Sequence, residues 1–227
     1  MTDVRPQPLA PAPAPSSMPV SAPELASQLA ARMCHDFISP ASAITSGLDL
    51  LEDPSAQDMR EEAMSLIGSS ALKLMGLLSF SRVAFGASAS AETFDTRELE
   101  KLTRGIYDHV RPDLDWAVVP PAVNKACARA LLNMAQIACT ALPTGGVAKL
   151  TATHEGDMIV SRIEARSARA RLRPEVVVGL NGQRLESGLG GQWVQAYYLY
   201  VLVQAAGGRL EHEAVEGLVT VTSYTPA

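Results

Sequence analysis

Two helix-period segments of about 30 residues, separated only by Asp53-Pro54-Ser55, constrain this chain most. The first starts near Ser21 or Pro23, with Ser21 as cap and Glu24 in the first turn, and runs to about Glu52. The second carries Met59, Ala63, Leu66, Ser70, Leu74, Leu77 and Ser81 at alternating spacings of three and four, a seam for packing against other helices. So short a connection makes the pair an antiparallel hairpin. One hairpin alone has too little to pack against, so two hairpins pairing into a four-helix bundle is the expected solution, and with it a homodimer.

The opposite side of the first helix is polar, and a histidine sits near its centre. At about 100° per residue, taking His35 as zero, Met33, Ile44 and Leu51 fall near about 160–180°. Glu24, Gln28, Ser39, Ser42 and Ser46 fall close to His35 itself. His35 is therefore offered to solvent. Asp36 follows it directly, and Pro40 lies five positions on, where it removes a backbone hydrogen bond and predicts a bend just after the histidine.

Composition bounds the rest. The 227 residues are 47% hydrophobic, ample for a packed core, and a net charge of −5 argues against nucleic acid as the main partner. Cys34, Cys127 and Cys139, without a C-x-x-C pair, fit a reducing compartment. No uninterrupted apolar run approaches the roughly 18 residues of a membrane span, and no secretory pattern opens the chain, so a cytoplasmic protein is expected. Residues 1–21, rich in Pro and Ala, read as a disordered tail.

The hairpin is expected over 22–88 and a second unit over 89–227, where short elements alternate. Arg97–Val110, Ala122–Leu142 and Gln192–Ala206 read as helices, the last stopped by Gly207-Gly208. Trp116–Val119, Val147–Thr153, Met158–Ala165, Arg209–His212 and Leu218–Tyr224 read as strands, with His154-Glu155-Gly156-Asp157 as a turn. The whole is an α+β chain, a helical hairpin followed by an α/β sandwich of mostly antiparallel strands.

Order and motifs together resemble the histidine-kinase core, a dimerisation hairpin followed by a GHKL-type ATP-binding domain. His35, Asp36 and Pro40 are similar to the H-box, in which the phosphorylated histidine precedes an acid and, five positions on, a proline. Pro143-Thr144-Gly145-Gly146 resembles the turn after the N-box helix, and Gly207-Gly208-Arg209-Leu210 the turn before the last hairpin. The nucleotide positions depart from that pattern. Ile137 stands where the N-box places its metal-coordinating asparagine, with Asn133 one turn earlier and Thr140 at the lysine position. Isoleucine has no oxygen to offer magnesium. Where the D-x-G-x-G box belongs, the chain reads Glu164-Ala165-Arg166-Ser167-Ala168-Arg169, without the glycines that admit a nucleotide. Gly188-Leu189-Gly190-Gly191 alone keeps a phosphate-loop character. No cofactor is expected to bind.

A histidine-bearing hairpin with such a degenerate domain resembles the ChpT-type histidine phosphotransferases. The resemblance implies a homodimer shuttling phosphoryl groups between receiver domains, with a hybrid kinase's receiver as donor and CtrA- and CpdR-like response regulators as acceptors. It implies His35 as the phosphorylated residue and Asp36 as the H-box acid. Imidazole titrates near about 6.5 in general, so it is mostly a neutral nucleophile at neutral pH. Phosphoryl transfer is largely positioning and charge neutralisation, and the receiver's own acidic pocket can bring the Mg2+. Asp36 either orients the ring or is a solvated charge, and Ser39 either bonds near the phosphoryl group or merely tolerates the bend. Leu29, Arg32 and Ile38 are candidates for a receiver-docking collar. Arg162, Arg166, Arg169, Arg171 and Arg173 are either a solvated run or a contact for a receiver's acidic face, with Arg166, Arg169 and Arg171 the candidates for that contact. His109, His154 and His212 lack ligand partners at metal spacing. The rival functions are an ATP-dependent histidine kinase and a non-catalytic receiver-docking protein.

Overall fold

The structure, a computed structural model, describes residues 20–86, 92–185 and 190–227. Most of the Pro/Ala-rich segment, the expected 88/89 boundary and Gly188-Leu189 lie outside the described residues.

Helix α1 (Ala22–Glu52) begins where Ser21 accepts a hydrogen bond from the Glu24 N–H, with Pro23 in its first turn. It continues unbroken through Pro40, whose side chain is buried. Asp53 ends it and starts the next element. Its carboxylate accepts from the Ser55 N–H at 2.8 Å and the Ser55 hydroxyl at 2.7 Å, and these bonds hold it below the usual aspartate range. A short 3-10 helix (Pro54–Met59) then leads into α2 (Arg60–Ala84).

The two helices approach closely at small residues. A Cβ on Gly47 would meet Ile67 Cγ1 at 2.6 Å and the Ala63 carbonyl oxygen at 3.1 Å. Ala63 and Ser70 of the expected seam are buried, whereas Met59 and Leu66 stay exposed. Met64, Leu72, Met75 and Leu78 add to an apolar surface left exposed among the described residues. Pro54–Ala84 is long and apolar enough to cross a membrane by length and composition alone, which differs from the sequence expectation. Ser, Gly and Lys73 interrupt any continuous run, but the stretch stays apolar on average.

Strand β1 (Thr93–Asp95) pairs antiparallel with β3 (Ala122–Asn124). A five-stranded sheet contains β2 (Asp113–Val118), β4 (Val147–Glu155), β5 (Met158–Arg166), β6 (Arg209–Val215) and β7 (Leu218–Pro226) in the order β2-β4-β5-β7-β6. Only β2 and β4 run parallel. One face of this sheet alternates inward with Ala148, Leu150 and Ala152 on β4, Ile159 and Ile163 on β5, and Val219 and Val221 on β7. Helices α3 (Thr96–Tyr107), α4 (Lys125–Ala141) and α6 (Gly191–Ala205) complete the core with Leu99, Leu131, Leu132, Met134 and Leu199. Helices segregated on one face of a mostly antiparallel sheet make an α+β sandwich.

Beyond the added strand β1 and the earlier start of β2, three differences from the sequence reading bear on packing. The helix expected from Ala122 starts at Lys125, because Ala122–Asn124 pairs with β1 and the Asn124 side chain caps the helix by accepting from the Cys127 N–H at 3.0 Å. The turn expected over His154–Asp157 is only Gly156-Asp157, with Gly156 at φ +61°, and His154 and Glu155 remain in register with Ile159 and Met158. Helix α5 (Pro174–Leu180) was not expected; Gly179 brings it against α6, where a Cβ would lie 2.7 Å from the Trp193 carbonyl oxygen.

The hairpin is rooted in the second unit. Phe80, Val83 and Ala84 of α2 are buried in the same core as α4. The Ala84 carbonyl oxygen accepts from Asn133 Nδ2 at 3.3 Å and from the Tyr198 hydroxyl at 3.4 Å, and the Arg129 guanidinium donates to the Gly86 carbonyl oxygen.

Candidate functional site

His35 projects from the polar side of α1 with its side chain 85% exposed. Its Nδ1 lies 3.3 Å from Asp36 Oδ1. The other carboxylate oxygen, Oδ2, accepts from Arg32 Nε at 2.9 Å, one helical turn back. A carboxylate can only accept in such a pair, so the contact favours a proton on Nδ1 and leaves the Nε2 lone pair toward solvent.

The second unit walls this site. Arg32 Nη1 donates to the carbonyl oxygen of Gly191, the first residue of α6. Behind it, Trp193 and Tyr197 stack at 5.1 Å and, with Val194, pack on Leu25 and Leu29 of α1. Glu24 pairs with Arg184 at 2.7 Å, and the Val20 N–H donates to the Tyr197 hydroxyl at 3.4 Å. Between α1 and the second unit lies a cleft of about 590 Å³. Gln28, Arg32, His35 and Asp36 line one wall; Arg173, Glu175, Gly190, Gly191, Gln192 and Val194 line the other.

The sequence-predicted residues divide accordingly. Arg32, His35 and Asp36 are brought together. Ile38, 62% exposed, and Ser39, also exposed, follow on the same helix without lining the cleft. Leu29 is engaged under α6 instead of standing in an open collar. Arg166 ends β5 paired with Glu164 at 2.8 Å, and Arg169 and Arg171 are exposed in the segment leading to α5; none of the three lines the cleft. From that basic run only Arg173 does so, at the start of α5. Sequence reasoning missed the cleft role of Arg173, Glu175, Gln28 and Gln192, since no local spacing joins residues so far apart in the chain.

The positions that would hold a nucleotide are committed elsewhere. Ile137 is 2% exposed in the central core. Asn133 is fully buried, its Nδ2 donating to the Arg129 and Ala84 carbonyl oxygens. Glu164 is paired with Arg166. Ile137 offers no oxygen to a metal, whereas the Asn133 Oδ1 is buried without a hydrogen-bond partner among the described residues.

Residues 96–217 match the histidine phosphotransferase C-terminal domain family. The chain belongs to that family. A protein phosphotransferase ChpT of Brucella abortus (strain 2308) is 34% identical over 195 residues, which cover 84% of this chain and 91% of that protein. A solved structure of a bacterial phosphotransferase superposes with a TM-score of 0.81 at 29% identity, covering 91% of this chain and 98% of that one. The phosphotransferase family match lies wholly in the second unit, whereas the two relatives' matches, over 84% and 91% of this chain, extend beyond it. At this level the chain is a phosphorelay histidine phosphotransferase.

Proposed function

We propose that this phosphotransferase takes a phosphoryl group from a receiver-domain aspartate onto His35 and passes it to the aspartate of a second receiver. The observation that carries this is the exposed His35 ring, oriented at Nδ1 by a carboxylate and standing at the mouth of a cleft. The Nε2 lone pair attacks phosphorus, the bond from phosphorus to the aspartyl oxygen breaks, and the carboxylate departs with the electron pair. The Nδ1 proton stays in place, and Asp36 offsets the positive charge left on the phosphorylated ring. Transfer onward reverses these steps on another receiver. Magnesium held in the receiver's acidic pocket neutralises the phosphate oxygens.

A hybrid kinase's receiver is the donor and CtrA- and CpdR-like regulators are the acceptors. Ile38 and Ser39 form part of the docking surface beside His35, with Arg166, Arg169 and Arg171 steering the receiver's acidic face at longer range. The working species is a cytoplasmic homodimer, paired through the exposed apolar surface of the hairpin. In a relay reconstituted from phosphorylated donor receiver, this protein and acceptor receiver, His35→Ala abolishes acceptor labelling. Full labelling with His35→Ala would make the protein a docking platform.

A further inference from the structure

Resting on that reading of His35, we infer that Arg32 is a positioning residue through which the second domain sets the tautomer of the histidine. A guanidinium is a planar fork, and Arg32 uses two of its nitrogens on different partners. Nε holds Asp36 Oδ2 at 2.9 Å, and Nη1 holds the Gly191 carbonyl oxygen. Only 14% of the Arg32 side chain is exposed, and a Cβ on Gly191 would come within 3.1 Å of Arg32 Cδ, so the two are closely fitted. Gly191 opens α6, which is seated on α1 through Trp193 and Tyr197. The chain of contacts runs from the second domain's α6, through Arg32, to the carboxylate that faces His35 Nδ1.

Asp36 is already 25% exposed, and without Arg32 its carboxylate is free to turn toward water. The exposed ring then reverts to the Nε2–H form that free histidine prefers, and the nitrogen that should attack carries the proton. This gives the second domain a task at the reaction centre without contact with the reacting atoms.

The test uses the full chain with 15N-labelled histidine, reading the ring nitrogen shifts of His35 above pH 8, with the His35→Gln spectrum as assignment. The wild type shows mainly the Nδ1–H form, and Arg32→Gln shifts the majority to Nε2–H. Single-turnover transfer from a phosphorylated receiver falls about tenfold, within the range that misplacing a reacting group costs, while the half-saturating receiver concentration stays within about twofold. An unchanged tautomer in Arg32→Gln overturns the inference, whether or not transfer slows, as does a wild type that is mainly Nε2–H. Should Arg32→Gln not fold, Arg32→Lys takes its place; a point charge cannot reproduce the fork, so it shifts the tautomer the same way by less, and no shift overturns the inference. A tautomer shift in a protein whose wild type transfers no phosphate leaves the positioning intact and refutes the phosphotransfer reading instead.

Discussion

Asp36 is the side chain whose removal separates orientation from mere exposure of His35. Its Oδ1 is the acceptor for Nδ1, so Asp36→Ala leaves the ring exposed but free to rotate and change tautomer. Transfer is expected to fall by about 10- to 100-fold, at the lower end of general acid–base contributions, in a single-turnover measurement. An unchanged rate would make Asp36 a solvated charge. His212 reports on a different property, the cost of placing an imidazole against the sheet edge. Its Nε2 lies 3.1 Å from Asn181 Oδ1, and burial pushes its pKa below the ordinary histidine value. The folded chain therefore binds a proton less readily than the unfolded one. Stability from this site is constant above the unfolded value near about 6.5 and declines as pH falls below it toward the folded value. Thermal melts at pH 8 and pH 5.5 should show a loss on acidification that His212→Gln reduces; an equal loss in both proteins would contradict this.

At the scale of elements, the hairpin depends on small residues where α1 meets α2. Gly47→Val places branched carbons against Ile67 and the Ala63 carbonyl, and is expected to destabilise the protein by about 1–3 kcal/mol in denaturant unfolding. The 3.6-residue period, Ser21 as cap and the Asp53-Pro54-Ser55 break made both helices readable from sequence, because each signal is local. The polar-side position of His35 was readable for the same reason. Helix α5 was not, being 7 residues long with its character set by packing on α6. Asn124 ended a strand and capped a helix at once, which helix-period reading alone merges into one element. The seating of α6 on α1 was also missed. Its signal was an almost wholly apolar helix bearing Trp193 and Tyr197, too apolar for a surface position, though nothing local names the partner helix.

At the scale of the molecule, the second domain braces the hairpin. Asn133 and Tyr198 hold the end of α2, and α6 holds α1 beside His35. The hairpin in turn leaves Leu72 (72% exposed) and Met75 (61% exposed) uncovered among the described residues. Light scattering at micromolar concentration should give twice the chain mass of 24.1 kDa, and Leu72→Glu should move it toward that single-chain value; a wild-type monomer would remove the bundle. The central claim is that the phosphoryl group on His35 comes from another protein. The direct measurement is incubation with a 32P-phosphorylated receiver and, separately, with labelled ATP alone, followed by mapping of the label. Label on His35 from the receiver and none from ATP is the predicted result; label from ATP and none from the receiver would contradict it.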